Sequence, residues 1–139
     1  MKKSQSGFTL IELVVVIVLL GILGVTALGK FQNLSADASG AAVQGVASEL
    51  AASSAINFAE GILDGNYTVP LTAANVCTTL LLQPLLASNT WPSADITVAG
   101  TGNCTAAGAG PGGAVNCALT HAKGGTASAS IVCGDVNIP

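Results

Sequence analysis

Residues 7–24 read "GFTLIELVVVIVLLGILG". One carboxylate, Glu12, stands inside an otherwise apolar run. An ionised carboxylate in hydrocarbon is costly unless it has a partner or a function. Residues 13–28 carry no charge and one hydroxyl, Thr26. As a helix, residues 8–29 would span about 33 Å, close to the ~30 Å hydrocarbon thickness of a bilayer. Lys2 and Lys3 precede the run and Lys30 alone follows it. That asymmetry places the amino end in the cytoplasm and the remainder outside. A secretory signal peptide shares the basic start and apolar core, but this run is long for one and Glu12 is out of place in it. A simple membrane anchor, with the carboxylate near the headgroups, is the other plain reading.

The helical pattern continues beyond the apolar run. No proline occurs before Pro70. Phe31, Leu34, Ala38, Ala42, Val46 and Leu50 recur at three- and four-residue steps, which predicts an amphipathic continuation. Alanine is abundant there and favours helix. Gly61, after Glu60, is the expected stop. A helix over residues 8–60 would be roughly 80 Å long. Gly21, Gly24 and Gly29 interrupt the apolar half. Small residues allow close helix packing, and they also weaken a helix by up to about 1 kcal/mol each.

Composition excludes several functions. The chain has 139 residues, a net charge of −3, 50% hydrophobic and 8% charged residues. Its mean hydropathy is +0.67. There is no basic patch, so nucleic-acid binding is not expected. His121 is the single histidine, and no paired carboxylates or nucleophile–histidine set is visible. The chain is therefore not expected to be an enzyme or to hold a cofactor or metal. Gly108, Gly110 and Gly113 resemble a phosphate-binding glycine run, but no βαβ context follows and Pro111 interrupts it. The Asn33, Asn66 and Asn103 sequons are read as unmodified.

The stretch "KKSQSGFTLIEL" resembles the class III leader of type IV prepilins. In that family a peptidase cuts after a glycine on the cytoplasmic side, the new terminal residue is N-methylated, and a glutamate is fifth in the mature chain. The resemblance implies cleavage between Gly7 and Phe8, methylation of Phe8, and Glu12 as the residue that meets the terminal amine of a neighbouring subunit during assembly. The further run "VVVIVLLGILGVTA" resembles major pilins of the mannose-sensitive haemagglutinin type. Helix melting between Gly21 and Gly29 is also implied, although Gly29 stands where the family more often has proline. The implied partners are copies of the chain itself, a prepilin peptidase/methyltransferase, and type IV pilus assembly machinery in the inner membrane. The implied locations are the inner membrane for the precursor and a surface fibre for the product. Type II secretion pseudopilins and minor pilins share the same leader. From another class, a membrane-anchored extracytoplasmic binding domain would keep residues 1–7 and form no fibre.

The expected fold is α+β, a long amino-terminal helix packed on a small antiparallel sheet. The expected divisions are a leader (1–7), a membrane or fibre-core half-helix (8–29), an amphipathic half-helix (30–60) and a disulfide-bonded head (61–139). Asp64, Gly65 and Asn66 predict a turn into a strand at 67–69. Residues 72–84 predict a helix with Thr72 as its N-cap. Strands are expected at 96–99, 115–120 and 128–133, the last two joined by "HAKGG". Four cysteines in an oxidising compartment predict two disulfides and allow three pairings. Cys104 and Cys117 flank the glycine-rich loop. A bridge closing that loop would leave Cys77 and Cys133 to join the region after the long helix to the carboxy terminus.

Overall fold

Helix α1 occupies Leu10–Asp64, 55 residues, in a computed structural model that describes residues 7–65, 67–105 and 108–134. Residues 1–6, with Lys2 and Lys3, lie outside the described residues, as does Asn66 of the expected turn. The side chain of Asn33 lies outside them too. The chain divides into two compact units, Met1–Ser35 and Ala36–Pro139, and α1 contributes to both.

α1 runs three residues past Gly61. Gly65, in the left-handed region at φ +68°, follows its last residue, as befits a glycine after a helix end. Gly61 has a different task. A Cβ there would run into the ring of Tyr67. The glycine provides room for that ring, which stacks on Phe58 with centroids 6.4 Å apart.

Within the second unit the buried stripe of α1 is Ser39, Val43, Val46, Ala47, Leu50, Ser54 and Asn57. Only Val46 and Leu50 belong to the stripe expected from sequence. Ala38 and Ala42 face solvent. Alanine suits either face of a helix, so it marks neither. The inward polar residues disguise the true stripe, and Asn57 and Ser54 are there to bond backbone groups. The Asn57 amide donates to Val69 O at 2.8 Å and accepts from Val69 N at 2.9 Å. Ser54 Oγ donates to Ala51 O at 2.9 Å and accepts from Val132 N at 3.1 Å. Buried backbone groups need such partners. At the edge of the stripe, Glu49 Oε1 accepts from Ala87 N at 2.8 Å.

The head's sheet contains β1 (Ile96–Ala99), β2 (Ala114–His121) and β3 (Thr126–Val132), antiparallel in the order β1-β2-β3. Ile96 pairs with His121, and Thr120 with Thr126. Alternation sends Ile96, Cys117, Leu119, Ala129 and Ile131 inward, where they are buried with the α1 stripe in one core. Trp91 Nε1 donates to Ile96 O at 2.7 Å, so part of the outer edge of β1 is closed.

Two expected elements differ. The 67–69 strand is absent because the backbone groups of Val69 bond the Asn57 side chain rather than a neighbouring strand. The 72–84 helix contracts to α2 (Thr79–Leu82) and a 3-10 turn at Gln83–Leu85. Thr72 is not its cap; Thr78 precedes α2, without a side-chain cap bond. Residues 73–76 pair instead with the loop after β1: Val76 N donates to Gly102 O at 2.8 Å, and Cys104 N to Ala73 O at 3.0 Å.

All four cysteines are bridged, but as Cys77–Cys117 and Cys104–Cys133, with Cα separations of 5.3 Å in each. This corrects the expected Cys104–Cys117 and Cys77–Cys133 pairing. Cys117 pairs with Ala129 across the sheet, four residues short of Cys133. The two cysteines therefore lie roughly 13 Å apart along the strands at about 3.3 Å per residue. The loop carries Cys104 to the Cys133 end, where Cys133 N donates to Gly113 O at 2.8 Å. Flanking a loop in sequence did not bring Cys104 and Cys117 together.

Candidate processing and assembly site

The site is the start of α1. Gly7, Phe8 and Thr9 are non-helical and exposed, and Leu10 is the first helical residue. Leu13 N donates to Thr9 O at 3.3 Å, the first bond of the helical ladder. A helix start leaves its first N–H groups without internal partners. Here Thr9 and Glu12 satisfy two of them reciprocally. Thr9 Oγ1 accepts from Glu12 N at 3.4 Å, and Glu12 Oε2 accepts from Thr9 N at 3.3 Å. The Thr9 hydroxyl also lies 3.2 Å from Glu12 Oε2 as a donor. This is a capping box, with Thr9 as N-cap and Glu12 three residues on. The carboxylate also suits the positive end of the helix dipole.

The spacing Thr9-x-x-Glu12 was in the sequence and was missed as a cap. It answers part of the question Glu12 poses: within this chain the carboxylate is held by Thr9. Phe8 and Glu12 are not joined, and the Phe8 nitrogen is here a peptide amide. The arrangement also stops the helix short of the Gly7–Phe8 bond, leaving that bond in exposed, non-helical chain.

From residue 13 to residue 26 the helix is apolar and exposed. Its 18-residue stretch of highest hydropathy averages 2.8, and none of it is buried. By length and composition it can cross a membrane. The single hydroxyl, Thr26, folds back on the backbone, 3.0 Å from Leu23 O and 3.3 Å from Ile22 O, so it needs no outside partner. Gly21, Gly24 and Gly29 are all helical, and a Cβ at any of them would meet nothing within 4 Å. The four cysteines of the head lie in the other unit.

A family model described as the prokaryotic N-terminal methylation motif matches residues 2–28. This match supports a type IV pilin-like prepilin. The motif implies processing by a prepilin peptidase and delivery to type IV pilus machinery. The exposed apolar helix behind the leader fits a membrane-anchored precursor. The long helix packed with a three-stranded antiparallel sheet is consistent with the pilin fold. No solved structure matches this chain.

Proposed function

We propose that the chain is the precursor of a major type IV pilin, of the mannose-sensitive haemagglutinin type. In this reading its role is structural rather than catalytic. The observation that carries it is the order of parts at the amino terminus: an exposed Gly7–Phe8 bond, a capping carboxylate, then an unburied apolar helix. Hydrolysis after Gly7 leaves the carboxylate on the leader and an ammonium on Phe8, which the same enzyme then methylates. Removal of the leader leaves side chains of two lysines against seven acids, a formal −5.

Copies then leave the membrane and stack through their apolar helices into a surface fibre that attaches cells to surfaces. Glu12 exchanges its Thr9 bonds for the terminal ammonium of a neighbouring copy. In a low-dielectric helix bundle, removing one partner of such a pair costs roughly 3–5 kcal/mol, because the other charge stays buried and uncompensated. Melting between Gly21 and Gly29 would let the helices adjust on entry. The test is Glu12→Ala. The variant remains in the membrane and yields little or no fibre; wild-type fibre yield would contradict the proposal. A pseudopilin would instead be absent from fibres sheared off the cell.

A further inference from the structure

Once the leader is removed, side-chain cations are scarce: Lys30 and Lys123 face seven carboxylates. Neither ammonium has a partner among the described residues. The two lysines have different surroundings. Lys123 sits between Ala122 and Gly124 in the β2–β3 hairpin. Lys30 opens an apolar helix face, with Phe31 68% and Leu34 60% exposed. Residues 30, 31 and 34 share one side of a helix at three- and four-residue spacing. Outside a membrane, nothing in the chain's described residues covers that face.

The second unit carries a groove of complementary character. It holds about 210 Å³ and is lined by Ile56, Asn57, Glu60, Val69, Pro84 and Leu85 among others. Its walls are mostly apolar, and Ile56 is 59% exposed. Glu60 is the one charged side chain among the lining residues. Among the described residues its one bond is a long one, accepted from Thr68 Oγ1 at 3.5 Å. An apolar cavity of roughly 150 Å³ is large enough to admit a benzene ring, so this groove has room for a phenyl side chain.

We propose that the groove receives Phe31 of a second copy, with that copy's Lys30 against Glu60. This rests on the fibre-subunit reading above. The two surfaces are different parts of the same chain, so the contact is heterologous. Such a contact repeats from copy to copy and generates an open filament unless it closes into a ring. The groove thus supplies the head with a contact to the helix of another subunit, one that does not depend on Glu12.

The test uses whole fibres. In chains carrying both Phe31→Cys and Ile56→Cys, oxidation gives a ladder of covalent oligomers on non-reducing gels, and either single variant gives none. Peptide mapping verifies that the native bridges persist. A second arm reverses the charges. Lys30→Glu and Glu60→Lys each lower fibre yield about tenfold, since the loss repeats at every subunit, and the two together restore most of it. Wild-type fibres with neither ladder nor charge-reversal rescue overturn the contact and leave the fibre reading intact. Oligomers from Phe31→Cys alone would mean that Phe31 meets its own counterpart, and overturn it as well. A wild-type chain that forms no fibres overturns both.

Discussion

Replacing Asn57 by alanine should destabilise the head more than any change at a nearby solvent-facing position of α1. Asn57 is 4% exposed, and its amide satisfies both backbone groups of Val69, itself buried. Alanine leaves the Val69 N–H and C=O without partners. Each orphaned buried group costs about 1–3 kcal/mol. The adjoining groove admits water, which can serve one of the two at a small entropic cost of up to about 2 kcal/mol. The expected loss is therefore about 2–4 kcal/mol. Asn57→Leu separates hydrogen bonding from packing, since it keeps the volume and loses both bonds. It should be destabilised nearly as much. The assay is urea unfolding of the disulfide-intact full chain in detergent, followed by fluorescence. Trp91 is the single tryptophan and bonds the β1 edge, so its emission reports the head. At ordinary m-values the midpoint falls by about 1–2 M. Gln44→Ala, on the exposed side of α1, should change stability by no more than about 0.5 kcal/mol. A loss below about 1 kcal/mol for Asn57→Ala, or full stability in Asn57→Leu, would show that the Asn57 amide does not hold the Val69 backbone in place.

Peptide mapping of the unreduced chain should recover Cys77 with Cys117 and Cys104 with Cys133. Removing either bridge, which close loops with separations of 40 and 29 residues, should cost about 4 kcal/mol by the chain-entropy model. Thr9→Val removes the N-cap and should lower the local stability of the first turn by about 1 kcal/mol, while Thr9→Ser should not. Amide exchange at residues 10–13 in micelles measures this, and equal exchange in all three chains would contradict the capping assignment. Gly61→Ala forces Tyr67 to move and should destabilise the head by about 1–3 kcal/mol, read by the same Trp91 unfolding curve. Gly24→Ala meets no neighbour and should raise helix stability by up to about 1 kcal/mol, visible as increased helicity on heating.

The strands were the most legible part of the head. Ile96–Ala99 matches the expected β1, and β2 and β3 fall within two residues of the expected ends, because period-two alternation marks inward and outward positions directly. The long helix was legible from its apolar run and late first proline. Its inner face was not, because alanine occupies both sides and Ser54 and Asn57 point inward to backbone groups of residues 132 and 69. Such long-range bonds leave no local pattern. The same holds for the 67–69 segment, whose extended backbone is satisfied by a helix side chain. Disulfide pairing depends on how far the loop carries Cys104 along the sheet, which spacing does not encode. At the amino terminus, Gly7, Phe8 and Glu12 stood out as a motif. Thr9 did not, although its three-residue distance from Glu12 is a local and readable cap signal.

In the proposed fibre, Phe8 is the first residue of every assembled chain. The most direct measurement is intact mass with amino-terminal analysis of fibres sheared from the cell surface. The expected result is a dominant chain beginning at N-methylated Phe8 and four hydrogens lighter than its reduced form, one pair for each disulfide. A chain that still carries residues 1–7, or one that stays in the membrane and never enters the sheared fraction, would contradict it.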